Sequence, residues 1–498
     1  MKIKLVIIFC YFLSFVVDAQ HNLTSNCINA RKELFSFNFQ NAYDNINIEK
    51  KINPNNLSAY YIENYIDLIE TVIDGSEERL EVYKNNFYDR IDVIKSISDK
   101  SDPYYLLYLS EMYLQTTLLN GQFKEFINAG YHFYKSYKYT EENIELFPDF
   151  IFNKKTKGIH DLLISIIPEE YESLFSFLGF KGGYEQGKQN IDEYYNFAKN
   201  KESLNNEAVM FKFFVLAQFG KDELAPLEFL NNEKYDTSSN IVVNLCYVLA
   251  IKQTGNTDKV IDFIEKKEIN PDNYPIPHLN YLIGSLKFTR LDDNSNIYFE
   301  KFLKYYKGGH FIKHTNRKLA WYYYLHDNIE KYNYHKSKAI KEGLGIIEHD
   351  RQAFYELSDT VQPNKTLIKA RLLFDGGYHL KAKKLLIENA EEFKKTNLKN
   401  QVEYFYRLAR VYQVLKDFDK AKKYFNYTLQ YGESIKQYYF VPNAAYNLGL
   451  IKEVEGNYEE AKQLYKKCLS TIKRSYYISI DRKAKMALKR VDEIIKNQ

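Results

Sequence analysis

The chain has 498 residues, room for about three average domains, yet only 20 glycines and 10 prolines stand against 46 tyrosines and 34 phenylalanines. So few chain breakers, with no series of Gly/Pro-bounded strands, favour an all-helical architecture. A net charge of +4 gives no bulk attraction to nucleic acid, and no nucleic-acid-reading motif is present, so nucleic acid is not an expected partner.

The N-terminus (1–19) reads as a secretory signal peptide. Lys2 and Lys4 form its basic end, Leu5 to Val17 its apolar stretch, and Val17-Asp18-Ala19 a small-residue cleavage site. Cleavage after Ala19 removes two positive charges and one negative, leaving +3 and Gln20 as first residue. The apolar stretch is shorter than the roughly 20 residues that span a bilayer. No later stretch is apolar enough to do so, and no transmembrane segment is expected. The mature chain is expected to be exported, periplasmic or extracellular, and bacterial. Its three cysteines, Cys27, Cys246 and Cys468, are odd in number and scattered, which fits neither a disulfide framework nor a zinc site.

Residues 20–200 read as a degenerate helical-repeat region. An Asn-rich stretch to about residue 55 is expected as a loose lead-in with one helix. Helical periodicity starts at Leu57 and ends at Asp74-Gly75. Ser76 caps a helix running to about Ile97, and Asp102-Pro103 opens another. Gly182-Gly183-Tyr184-Glu185-Gln186-Gly187-Lys188 follows a phosphate-binding loop up to the position after Lys188, where Gln189 replaces the magnesium-binding hydroxyl. An inter-helix turn with glycines for close packing is the preferred reading.

Residues 201–498 read as a more regular repeat region with a C-terminal capping helix. The Asn270-Pro271 to Pro277 stretch is its best hinge or boundary. His310 and His314, one helical turn apart, could offer two metal positions, but no third ligand is evident and Gly308-Gly309 precede them. A solvated or capping role is favoured, and neither metal nor cofactor is expected. From Val402 to Cys468 one pattern occurs twice. Ala409 is followed after twelve positions by Ala421 and after four more by Phe425; Gly449 is followed likewise by Ala461 and Tyr465. Two antiparallel helices whose close crossing admits only Ala or Gly give this spacing, that of the tetratricopeptide repeat. A third copy carries Ala370, Gly377, Ala382 and Leu386, so that the aligned alanines lie 39 and 40 residues apart. The fold class expected is therefore an all-α solenoid of tetratricopeptide-like hairpins, regular at the C-terminal end and degenerate in the N-terminal half.

Two further stretches carry a family resemblance. They are Ile166-Ile167-Pro168 through Leu174 with Phe177-Leu178-Gly179-Phe180-Lys181-Gly182, and Tyr439-Phe440-Val441-Pro442 with Leu448-Gly449-Leu450 and Asp481-Arg482. Together they resemble a tetratricopeptide family of fungal inclusion-body clearance proteins, animal relatives and uncharacterised bacterial members. Leu372-Leu373-Phe374-Asp375-Gly376-Gly377-Tyr378 fits the bacterial branch, and the likeness runs from about Ser101 to Leu488. It implies a protein-binding or proteostasis role without catalysis. The signal peptide departs from the intracellular eukaryotic members.

No Gly-x-Ser-x-Gly elbow and no Cys/His pairing points to nucleophilic chemistry. The expected function is an exported, non-enzymatic scaffold binding a protein or peptide. The alternative is a self-associating structural subunit of an envelope assembly; an enzyme or metal-binding protein comes last. Partner contacts are expected in the groove of first helices, at Tyr404, Arg407, Arg410, Val411, Asn443, Tyr446 and Asn447, with Lys369 and Arg371. The basic C-terminal end, with Arg482, Lys483, Lys485, Lys489, Arg490 and Lys496, reads as a terminal cap, with peripheral contact to an acidic partner or anionic lipid as its alternative use.

Overall fold

The computed structural model describes residues 23–97, 101–167, 179–201, 204–220, 222–233, 240–470 and 478–497. Among them are twenty-five α-helices, two short 3-10 turns and no strand. The chain is an all-α array of helical hairpins and divides into two compact units. Unit 1 comprises Met1–Thr254, Asp262–Ile276 and Tyr306–Gly308; unit 2 comprises Gly255–Ile261, Pro277–Tyr305 and Gly309–Gln498. Of the family-like stretch, residues 168–178 lie outside the described residues.

Unit 1 contains α1 (Ser25–Phe35), α2 (Phe39–Ile52), α3 (Leu57–Asp74), α4 (Glu77–Ile97), α5 (Pro103–Gln122), α6 (Phe126–Leu146), α7 (Phe152–Ile164), α8 (Tyr184–Ala198), α9 (Asn205–Phe219), α10 (Ala225–Glu233) and α11 (Ile241–Gln253). Consecutive helices pair as hairpins, while α3, α5 and α7 pack side by side as a row of first helices, as do α9 and α11. The row is held by buried side-chain bonds: Ser58 to Tyr108 (2.7 Å), Tyr61 to Glu111 (2.7 Å), Asn64 to Gln115 (2.7 Å) and Thr156 to Glu111 (3.0 Å). Residues 23–56 are no loose lead-in. They form two helices whose Cys27, Ala30, Ala42 and Ile46 are fully buried. The periodicity there is weakened by polar residues, Arg31 and Glu49, that are themselves buried.

The glycine-rich stretch before α8 is explained by packing. A Cβ on Gly187 would lie 2.7 Å from Leu162 and 2.8 Å from the Gly158 carbonyl, and one on Gly182 would lie 2.5 Å from Asp161. These glycines let α7 and α8 cross closely, and Lys188 pairs with Asp192 on its own helix.

The helix α12 (Thr257–Lys266) is divided between the units, and α13 (Pro277–Arg290) and α14 (Ser295–Tyr305) belong to unit 2. So do α15 (Ile312–Leu325), α16 (Ile329–Lys341), α17 (Glu348–Leu357), α18 (Lys365–Asp375), α19 (His379–Glu388), α20 (Ala390–Phe393), α21 (Leu398–Val414), α22 (Phe418–Tyr431), α23 (Phe440–Val454), α24 (Tyr458–Ser470) and α25 (Ile478–Asn497). The expected small residues lie at helix crossings. Ala409, Ala421, Ala445 and Ala461 are buried, and a Cβ on Gly449 would stand 2.6 Å from the Tyr465 ring. Cys468 is fully buried beside them. The α25 helix buries Ile480, Ala484, Ala487 and Val491 and turns Arg482, Lys485 and Lys489 outward.

His310 and His314 are not solvated. Both are buried at the start of α15, where the Tyr281 hydroxyl meets His314 Nδ1 at 2.6 Å. The cap comes from Asp350, whose carboxylate accepts the Phe311 and His314 amides at 2.7 and 2.8 Å.

Local chemistry explains where helices begin and end. Asn56, Asn240, Asn328, Asn364 and Asn397 each accept a hydrogen bond from an amide of the first turn that follows. The Asn-rich composition thus serves as a set of helix starts. One closure recurs at helix ends, a residue with positive φ followed by an amide that bonds back five residues. It occurs at Phe37, Lys124, Glu268, Leu291, Asp327, Gly377, Lys416 and Gly456, with bonds such as Asp417 N–H to Tyr412 O (3.0 Å) and Asn457 N–H to Lys452 O (2.9 Å).

Only two of those eight positions are glycine, so the others hold a side chain in the left-handed region at roughly 1 kcal/mol each. Lys416→Gly is expected to stabilise unit 2 by about 0.5–1 kcal/mol, with Lys416→Ala, which keeps the same strain, near zero. Chemical denaturation of the two variants checks this; equal midpoints would deny the strain.

Candidate partner-binding cleft

A cleft in unit 2 encloses a cavity of about 60 Å³ where α17, α18 and α21 meet the turn entering α23. Its walls include Trp321, Glu356, Arg371, Glu403, Tyr438 and Tyr439. Trp321 is the chain's one tryptophan. It is buried, with the Arg317 and Arg371 guanidiniums 4.6 and 5.0 Å from its ring centre. Both arginines pair with Glu356: Arg317 Nη1 donates to Oε2, and Arg371 Nη1 donates to Oε1 at 2.8 Å. Gln352 adds a third donor at 2.8 Å. Burial alone would raise the Glu356 carboxyl, but the two guanidiniums overcome it and hold the group at about 2.

A second ion pair forms the opposite wall. Arg407 donates to Glu403 at 2.7 Å and also to the Tyr439 hydroxyl, and Arg371 and Arg407 lie 5.6 and 5.7 Å from the Tyr439 ring centre. At the rim Lys399 pairs with Asp359 at 2.9 Å and sits 5.0 Å from the Tyr438 ring. Asp359 also accepts the Val361 amide at 2.9 Å, which fixes the loop after α17. Burial pushes Asp359 up; that amide and Lys399 outweigh it and keep its carboxyl below the ordinary range. Glu356 and Asp359 are therefore poor proton acceptors near neutral pH. The cleft offers aromatic faces between charges already paired, a lining suited to stacking and hydrogen bonding more than to acid–base chemistry.

Arg371 and Arg407 come together on Tyr439. Arg410 is half-buried, donating to the Tyr406 hydroxyl at 3.2 Å and lying 5.0 Å from the Phe374 ring centre. Lys369 is half-buried on α18. Asn443 and Asn447 bond back to the carbonyls of Tyr439 and Asn443 within α23, each at 2.7 Å, and Tyr446 packs on Tyr465. Tyr404 and Val411 belong to the core: Tyr404 stacks on Phe393 with ring centres 4.4 Å apart, and Val411 is 1% exposed. Trp321 and Glu356 were not among the expected contacts because α15 and α17 lie outside the two recognised repeats, whereas Glu403 and Tyr439, in and beside those repeats, were missed as contacts. A signal existed for Trp321, the single tryptophan, one helical turn after Arg317. Among the described residues, no group of three or more His, Cys, Asp or Glu side chains is arranged to hold a metal. None of their helices is long and apolar enough to cross a membrane.

Among known proteins, the tetratricopeptide repeat model matches residues 402–426 and 442–473, which cover most of α21 with the start of α22 and nearly all of α23 with α24. No curated protein matches the chain. Among solved structures, a chain of the crystal structure of the APC/C hetero-tetramer Cut9-Hcn1 aligns at 12% identity. The alignment covers 93% of this chain and 95% of that one, at a TM-score of 0.24. A score that low carries no structural argument. The chain thus contains tetratricopeptide repeats, modules that bind proteins.

Proposed function

We propose that the chain is an exported, non-enzymatic scaffold that holds a segment of a partner protein in the cleft around Trp321 and Tyr439. The observation that carries this reading is the coincidence of two recognisable repeats with that cleft. Lys399 and Glu403 come from the first helix of one repeat, and Tyr438, Tyr439 and Phe440 lead into the first helix of the next. Export rests on Lys2, Lys4, the Leu5 to Val17 stretch and Val17-Asp18-Ala19. The resemblance to the inclusion-body clearance family supports a protein client. Its intracellular setting does not transfer to a chain with a leader. The exposed cations Arg482, Lys485 and Lys489 of α25 supply a secondary, peripheral contact for an acidic partner or anionic lipid.

The test uses the full chain with a C-terminal tag in a bacterial host. N-terminal sequencing of the envelope fraction should return Gln20. Crosslinked capture should give a discrete partner, reduced at least tenfold by Tyr438→Ala and by Val361→Glu at unchanged melting temperature. A chain that keeps Met1 in the cytoplasm overturns export, and capture indifferent to both cleft variants overturns the site.

A further inference from the structure

In stacked helical hairpins the row of first helices is the surface that partners use. In unit 1 that row is already covered, by the chain's own α1. Arg31 of α1 is 3% exposed and lies in the electrostatic field of Glu207 on α9, Tyr194 on α8, and Tyr61 and Tyr65 on α3. Cys27, one turn earlier, contacts Asn56 and lies near Tyr108 of α5. Phe35 meets the Tyr65 ring edge-on at 5.9 Å. The surface beneath is charged as well as aromatic: Lys155 bridges Glu111 and Glu207 at 3.0 and 3.4 Å, all three fully buried.

The fit of α1 to that surface is poor. Three small or aliphatic side chains, Cys27, Ala30 and Leu34, are all the fully buried apolar contact it contributes. The Arg31 Nε, Nη1 and Nη2 atoms are buried and make no hydrogen bond among the described residues, which costs more than it returns unless a partner is supplied. The turn from α1 to α2 passes through Phe37 at φ 60°, a strained conformation for a side chain of that size. Eleven residues are too few for an independent helix. A covering element with little apolar contact and a buried cation without a hydrogen bond belongs to the segments that open first.

We propose that α1 is a displaceable internal ligand, and that the row beneath it is a docking surface for a helix of another protein that brings a basic residue to Glu207 with small or aliphatic residues on either side. The charge of Glu207 attracts the cation, and the aromatic row takes the flanking face. A competing helix with better apolar contact takes the place of α1 while the remainder of unit 1 stays folded. This surface lies in unit 1 and does not depend on the cleft assigned to unit 2.

The probe is a fluorescent synthetic peptide of residues 23–38 with Cys27→Ser, titrated into the full chain and read by anisotropy. Binding to the Arg31→Glu protein, whose own α1 is weakened, should be at least tenfold tighter than to wild type, and a peptide carrying Arg31→Glu should bind neither. Hydrogen exchange on wild type gives a second readout that needs no variant: α1 amides should exchange at least 100-fold faster than those of α5. Equal protection of α1 and α5, or no peptide binding to a folded Arg31→Glu protein, makes α1 an integral core helix and overturns the proposal.

Discussion

Glu356→Ala is expected to destabilise unit 2 by about 3–5 kcal/mol, the cost of removing one partner from a buried ionic group. Arg317 and Arg371 would both lose their carboxylate while still packed against Trp321. Glu356→Gln, which keeps the shape and one acceptor, should lose less. The same group makes unit 2 acid-sensitive. Its carboxyl sits at about 2 when folded, against roughly 4.3 unfolded. Its contribution is thus complete above about pH 4.3 and is lost as pH falls toward 2, on the order of 3 kcal/mol in all. Denaturant titrations at pH 7 and pH 3, followed through Trp321 fluorescence, measure both effects. If Glu356→Ala retains the wild-type slope with pH, the carboxylate is not the source.

The second large effect lies in unit 1. Lys155→Met leaves Glu111 and Glu207 fully buried without the ammonium that bridges them, and a loss of about 3–5 kcal/mol is expected at pH 8. Its pH dependence has the opposite sign. Burial raises the Glu207 carboxyl, with Lys155 and then Arg31 opposing, and its folded value is about 7. Removing Lys155 raises it further. A carboxyl whose folded value is above the unfolded one imposes no penalty below about pH 4.3 and a growing one as pH rises toward the folded value. The variant should therefore recover much of its deficit at pH 5. A deficit equal at pH 5 and pH 8, measured by denaturant midpoints, would mean that Lys155 acts through packing alone.

The fold was largely legible because small residues at helix crossings have few substitutes. Ala409, Ala421, Gly449 and Ala461 announce two hairpins that Leu386 and Ala382 extend. Of the contacts expected from the sequence, Arg371 alone lines the cleft. On α21 the sequence pointed to Arg407 and Arg410 but also to Tyr404 and Val411, which are core. That helix is buried around most of its circumference, so apolar and polar positions do not separate into two clean faces. On α21 the cleft is lined by Lys399 and Glu403, four residues apart, and Arg407 bonds Glu403 one turn further on. Residues 23–56 failed for a related reason. Arg31 and Glu49 look like surface residues and are buried, and no local pattern distinguishes a buried arginine from a solvated one.

The recurring hairpin closure has a consequence for descent. It is written in a backbone angle and one amide–carbonyl bond, so Lys124, Leu291, Asp327 and Lys416 can fill the place that Gly377 and Gly456 fill elsewhere. The closure asks nothing of the side chain beyond tolerance of the left-handed angle. Two hairpins match the repeat model, while the closure also ends helices well outside them.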